Sequence, residues 1–66
     1  MEIMTIGDCI KKLRENQKLS QEQLGVKASL SGATINRVEK GHNVPSKGTL
    51  KLIAQALGVK LEDIQK

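Results

Sequence analysis

The chain has 66 residues, 11 Lys and Arg against 7 Asp and Glu, a net charge of +4, and no Phe, Tyr or Trp. A domain of this length buries only about 60% of the surface that its unfolded chain exposes, and one Cys and one His provide neither disulfides nor a metal site, so self-association is the remaining aid to stability. Without aromatic side chains there is no platform for stacking unpaired bases, which argues against single-stranded DNA or RNA as a ligand.

The positive charge is concentrated before residue 53. Residues 1–52 contain nine Lys and Arg against five Asp and Glu, whereas residues 53–66 contain two of each kind. This excess favours a polyanionic partner. No segment has the charged start and apolar core of a secretory signal, and no apolar run approaches the ~18 residues of a membrane span. With a single unpaired Cys, these features predict a cytoplasmic protein.

Apolar residues recur at helical spacing in five segments, and no alternating strand pattern continues for more than a few residues. The first helix is predicted to begin after a Thr5 cap and to end near Asn16. Its inner face would carry Ile6, Cys9, Ile10 and Leu13. Cys9 is expected to be a small apolar core residue rather than a redox group.

The second helix has the clearest start. Ser20 is followed by Gln23 in a capping-box arrangement, which predicts a helix over about 21–28. Leu24 and Ala28 lie one turn apart on its inner face, and Ser29 follows where the chain must turn.

The third helix is predicted from Ser31 or Gly32 to Lys40, with Ile35 and Val38 inward and Gly41 as its end. Further on, Ser46 is predicted to cap a fourth helix that Gly58 closes, and a short fifth helix would follow Val59. The chain should therefore be all-α, a compact bundle of five short helices in one domain over residues 1–66.

Three stretches carry a resemblance to known proteins: LRENQKLSQEQLGVKA, then TINRVEKG, then VPSKGTLKLIAQALGV followed by LEDI. In this order and spacing they resemble the phage-repressor-like helix-turn-helix family of lambda repressor, Cro and related XRE-type bacterial regulators. The resemblance covers about residues 6–64 and implies a five-helix fold with the motif at about 20–40. It also implies a bacterial or phage transcriptional regulator, most simply a repressor, that binds a palindromic operator in double-stranded DNA as a homodimer.

The resemblance assigns roles to individual residues. It implies base reading by Gln21, Ser31, Ala33, Thr34 and Arg37. Arg37 is the leading candidate, because a guanidinium pairs with guanine. Residues that flank this surface are expected to hold phosphates, namely Ser20, Asn36, Lys40, His42 and Asn43.

Two further roles come from the family. Arg14 and Glu39 match a pair that often joins the first and third helices, so we expect a partly buried ion pair that fixes the reading helix. The dimer contact is expected near the carboxyl terminus, at Leu57, Leu61 and Ile64. No residues are arranged for catalysis, so we expect neither enzymatic activity, nor a cofactor, nor a metal.

Two departures from the family pattern affect the motif. The family commonly has alanine at the position of Gly25 and glycine at that of Ser29. A left-handed serine carries a steric cost that glycine avoids, so the turn is expected to be built differently here. Gly32 provides no side chain for a base, so DNA shape is expected to contribute to specificity.

Alternative interpretations remain open from the sequence. The helix pair alone is equally consistent with a structural hairpin. Within DNA binding, the chain could be an antitoxin or a restriction-modification controller that regulates its own operon. From another class, it could be a protein-interaction module that bridges transcription factors on the same fold.

Overall fold

The computed structural model describes residues 5–42 and 45–64, and this part of the chain contains five helices and no strand. They are α1 (Ile6–Asn16), α2 (Gln21–Ala28), α3 (Gly32–Lys40), α4 (Lys47–Leu57) and α5 (Leu61–Ile64). The predicted all-α class and the five predicted segments are confirmed. Each of these helices is too short or too polar to span a membrane.

Side-chain caps define where the helices begin. Thr5 and Asp8 form a capping box at α1, and Ser20 and Gln23 form another at α2. In each box a hydroxyl accepts from the backbone N–H three residues on, while the side chain of that residue accepts from the cap's own N–H. The sequence therefore encodes these starts locally.

The core lies where α2 packs against α3 and α4, and where α1 closes over α3. Its fully buried side chains come from all five helices: Ile10, Leu24, Ile35, Ile53 and Ile64. Since each helix contributes one of these residues, all five helices share a single core.

Burial corrects the expectation for the dimer contact. Leu57 and Ile64 are only 4% and 1% exposed, because their side chains lie in the core of a single chain. Neither can offer a side chain to a partner in this arrangement. Leu61 is half-buried, whereas the most exposed large apolar side chains described are Val26 and Leu52, at 74% and 40%.

The turn between α2 and α3 also differs from expectation. Ser29 itself adopts the left-handed conformation, with φ 60° and ψ 37°, so the chain accepts here the strained serine backbone that the turn was expected to avoid. The Leu30 N–H donates to the Gly25 carbonyl at 2.7 Å and holds the turn close to α2. A Cβ on Gly25 would lie 2.7 Å from the Leu30 oxygen, so the family's usual alanine does not fit here.

Candidate nucleic-acid interface

One face of α3 points to solvent along the length of the helix. Ala33, Asn36, Arg37 and Lys40 fall at the spacing that places side chains on one helical stripe. Of these, Ala33, Arg37 and Lys40 are exposed and Asn36 is half-buried, while Ile35 and Val38 anchor the opposite side in the core. The structure therefore presents three of these side chains together without removing them from solvent.

The amino end of α3 is small-sided. Ser31 caps the helix, since its hydroxyl accepts from the Thr34 N–H at 3.1 Å and contacts the Thr34 hydroxyl at 2.9 Å. The two hydroxyls thus hydrogen-bond to each other, and each retains further hydrogen-bonding capacity. A Cβ on Gly32 would lie 3.1 Å from the Glu22 Cα, so this glycine lets α3 sit close against α2.

The start of α2 lies beside this face. The Gln21 side chain is half-buried and reaches α3, where its Oε1 accepts from Asn36 Nδ2 at 3.1 Å. Ser20 is exposed, with its hydroxyl engaged in the α2 cap. Gln21 is thus adjacent to the stripe, and the side chains of both Ser20 and Gln21 are already hydrogen-bonded within the chain.

Arg14 and Glu39 form the ion pair that the family resemblance implied. Arg14 Nε donates to Glu39 Oε2 at 2.6 Å, Nη2 donates to Oε1 at 3.1 Å, and Nη1 donates to the Leu19 carbonyl at 2.7 Å. The two side chains are 11% and 4% exposed. The hydrogen bond to Glu39 raises the pKa of Arg14 against the opposing effect of burial, so the guanidinium stays charged.

The pair ties three elements together. It joins α1 to α3, and the bond to Leu19 secures the loop that leads into α2. Because the guanidinium is bidentate on the carboxylate, α3 is held in both position and rotation relative to α1. This fixed placement is what a helix needs if its exposed face is to meet a rigid partner.

A basic depression lies at the carboxyl end of α3 and is lined by Asn36, Arg37, Lys40 and His42. The His42 N–H donates to the Arg37 carbonyl at 3.1 Å, which places the histidine at the end of the helix. This depression brings together one residue predicted to read bases and three predicted to hold phosphates. Asn43 lies outside the described residues.

Two features of this site were absent from the sequence interpretation. One is the close approach of α1 to α3 at Gly7, where a Cβ would lie 2.5 Å from the Val38 oxygen. A glycine on the inner side of an amphipathic helix was the available signal. The other is a hydrogen bond from Gln21 Nε2 to Glu39 Oε1 at 3.0 Å, and no local pattern marks it because the residues are 18 apart.

Among the described residues, no group of three or more His, Cys, Asp or Glu side chains is arranged to hold a metal ion. Every buried side-chain nitrogen or oxygen in the same part of the chain has a hydrogen-bond partner. The buried polar side chains of the described residues therefore have their hydrogen-bond partners within the chain.

A helix-turn-helix family model matches residues 10–64, nearly the whole of the described bundle. The chain belongs to this helix-turn-helix family. Among curated relatives of this helix-turn-helix chain, the immunity repressor protein of Bacillus phage phi105 is 41% identical over 61 residues, which are 92% of this chain and 42% of that protein. Multiprotein-bridging factor 1 of Debaryomyces hansenii is 38% identical over 58 residues, or 88% of this chain and 39% of that protein. The chain thus spans less than half the length of these two relatives.

Solved helix-turn-helix structures match closely in shape. The restriction-modification controller protein C.AhdI from Aeromonas hydrophila superposes with a TM-score of 0.87 at 27% identity, covering 89% of each chain. The solution structure of the DNA-binding domain of the P22 c2 repressor gives a TM-score of 0.92 at 24% identity, covering 100% of this chain and 87% of that one. The second match, at its low identity, establishes the fold alone.

Proposed function

We propose that this chain is a sequence-specific regulator of transcription that binds double-stranded DNA, most simply as a repressor. The observation that carries the proposal is the exposed stripe of α3, formed by Ala33, Asn36, Arg37 and Lys40 and held rigidly by the Arg14–Glu39 pair. The name of the phi105 immunity repressor, a relative at 41% identity, supports the same function.

The dimensions and chemistry of α3 suit the major groove of B-DNA. This groove is about 12 Å wide and admits one α-helix. The small exposed residues Ser31 and Ala33 let the amino end of α3 approach base edges closely, while Thr34 and Arg37 offer a hydroxyl and a guanidinium for readout. Lys40 and His42 lie at the far end, where they would meet phosphates and fix the docking position.

The other contacts of the proposed interface come from α2 and the loops. We assign Gln21 to the reading surface and Ser20 and Asn43 to the phosphate backbone, as the family resemblance implies. The proposal also includes a homodimer, whose two α3 helices would enter successive major grooves about 34 to 36 Å apart. In a bacterial or phage-infected cell this DNA lies in the cytoplasm. No catalytic step is part of this function.

Selection from random duplexes tests the proposal directly. The purified chain should enrich one short motif, repeated as an inverted pair when the dimer binds. Affinity for the selected duplex should fall linearly in a plot of log affinity against log salt, because each bound phosphate releases counterions. Enrichment of no duplex, or binding that ignores salt, would contradict the proposal.

A second candidate is a protein-interaction module, and one observation favours it. Multiprotein-bridging factor 1 is 38% identical to this chain over 58 residues, and its name describes bridging between proteins. The failure of the random-duplex selection would favour this candidate. A third candidate is a DNA-binding protein that controls a restriction-modification operon. The likeness to C.AhdI supports it, and a methylase gene beside this one would indicate it.

A further inference from the structure

A chain of hydrogen bonds connects the buried ion pair to the exposed face of α3. Gln21 Nε2 donates to Glu39 Oε1 at 3.0 Å, and Asn36 Nδ2 donates to Gln21 Oε1 at 3.1 Å. Arg14 grips the same carboxylate from the other side at 2.6 Å and 3.1 Å. We call the hydrogen-bonded series of side chains Glu39, Gln21 and Asn36 the amide relay.

The relay has a direction that its chemistry imposes. An amide group can face a neighbour with either its oxygen or its nitrogen, and the surrounding hydrogen bonds decide which. A carboxylate held by a guanidinium can only accept, so Gln21 must turn its NH₂ group towards Glu39. Its oxygen then faces Asn36, which must donate in turn.

The relay leaves a defined set of groups on Asn36. One N–H of its amide is occupied by Gln21, and the Oδ1 and the second N–H have no hydrogen-bond partner among residues 5–42 and 45–64. This acceptor and donor match adenine in the major groove, where asparagine pairs with N6–H and N7. A phosphate offers only acceptors and would use one of these two groups, so the free oxygen favours a base over the backbone as the partner of Asn36.

We propose that Glu39 is a positioning residue for sequence readout, which acts through Gln21 to set the amide orientation of Asn36 and thereby a preference for adenine. The inference rests on the proposed DNA-binding function and reassigns Asn36 from phosphate contact to base reading. Glu39 itself touches no DNA in this scheme. Its effect reaches the groove because each amide in the relay has one allowed orientation.

The test is the base preference of variants on the selected operator, measured with duplexes that carry each base at each position. Asn36→Ala identifies the position that Asn36 reads, where the preference for adenine should collapse. Glu39→Gln should reduce the preference at that same position by a smaller factor than Asn36→Ala, for which loss of one bidentate contact predicts about 5- to 150-fold. An amide at position 39 can donate or accept, so it no longer dictates the orientation of Gln21.

Two further variants separate positioning from simple support of the fold. Arg14→Lys keeps a cation beside Glu39 and leaves the carboxylate able to anchor Gln21, so it should lower stability without changing the base preference. Gln21→Met removes the link but leaves the ion pair intact, and it should flatten the same position as Asn36→Ala, besides any other position that Gln21 reads directly. If Glu39→Gln does not fold, Gln21→Met still tests whether the preference at this position depends on the hydrogen bonds that join Asn36 to Glu39 through Gln21.

The outcomes distinguish the two proposals. If the wild-type chain selects no duplex, the proposed function fails, and the relay proposal fails with it because no base preference exists. If it selects an operator but Glu39→Gln or Gln21→Met weakens all duplexes equally, Glu39 only supports the fold and the relay proposal is overturned. An Asn36→Ala variant with an unchanged base profile would overturn it as well.

Discussion

At the scale of single residues, the proposed interface contains side chains with different tasks on one helical stripe. Arg37 and Lys40 are both exposed cations and lie one turn apart or less on α3. A planar guanidinium can pair with guanine through two hydrogen bonds, whereas an ammonium acts as a point charge. Both side chains line the same basic depression, so binding to duplexes of different sequence is the measurement that separates base reading from phosphate contact.

Arg37→Ala should relax base preference at one operator position and cost about 1 to 3 kcal/mol of binding free energy on the preferred duplex. Lys40→Ala should weaken every duplex to a similar degree and make the salt slope shallower by about 1. Titrations of single-base operator variants at several salt concentrations measure both effects. Identical behaviour of the two variants would refute this division of roles.

The buried ion pair gives a second residue-scale prediction. Arg14→Leu should lower the free energy of unfolding by about 3 to 5 kcal/mol, because it leaves the Glu39 carboxylate buried without its cation. Replacing both residues by apolar ones of similar volume should cost less than either single change. Urea unfolding of the two single variants and the double variant measures the difference, and additive losses would contradict it.

The raised pKa of Arg14 determines in which direction its contribution to the free energy of unfolding changes with pH. A group whose pKa is higher in the folded state contributes stability below its ordinary pKa and loses it only as pH rises through the folded value. That range lies far above neutrality. Deprotonation of Arg14 should therefore cause no loss of stability between about pH 7 and about pH 10.

At the scale of elements, the turn and the helix contacts decide which glycines can be replaced. Gly25→Ala should destabilise the fold by about 1 to 3 kcal/mol, since the new Cβ would lie 2.7 Å from a backbone oxygen. Gly48→Ala is the matched control, because its Cβ would meet nothing closer than 4.0 Å and alanine favours a helix by about 1 kcal/mol. Thermal unfolding should show opposite shifts for the two variants.

The left-handed serine gives the converse prediction. Ser29→Gly should stabilise the chain by about 0.5 to 1 kcal/mol, because glycine removes the steric cost of φ 60° but gains more freedom on unfolding. Ser29 is exposed and its side chain lies outside the α3 stripe, so affinity for the selected duplex should not change. A fall in unfolding temperature would show that the serine side chain stabilises the turn.

Local signals predicted the elements well because helix ends depend on neighbouring residues. Thr5, Ser20 and Ser46 cap helices as their sequence context indicated, and Gly41 and Gly58 end them in the left-handed conformation. The close approach at Gly25 was not predicted, since it depends on the path of the chain after the helix. The amide relay was missed for the same reason, because its contacts join residues 15 and 18 apart.

At the scale of the whole molecule, the core uses apolar side chains that a dimer contact would otherwise need. The bundle has a radius of gyration of 10.5 Å over the described residues, and both Leu57 and Ile64 are used inside it. A dimer contact must therefore draw on side chains that remain accessible, such as Leu61 or Leu52. The family resemblance alone could not separate buried from accessible residues in this region.

Ile64→Ala should lower the stability of each chain by about 2 to 5 kcal/mol through the cavity it leaves, and the loss should not depend on protein concentration. Leu61→Glu should instead weaken self-association if this helix end forms the dimer contact. Sedimentation at several concentrations together with urea unfolding separates the two effects. A change of association without a change of chain stability in Ile64→Ala would contradict its assignment to the core.

The paired departures at the α2–α3 turn have a consequence for consensus engineering of this protein. A designer who copied the family's usual residues would introduce alanine at position 25 and glycine at position 29 together. The first change introduces a backbone clash that costs more than the second change gains by relieving strain, so the double variant would be destabilised and the benefit at position 29 would be hidden. The residues would need to be changed one at a time, with Ser29 first, for the benefit to be seen.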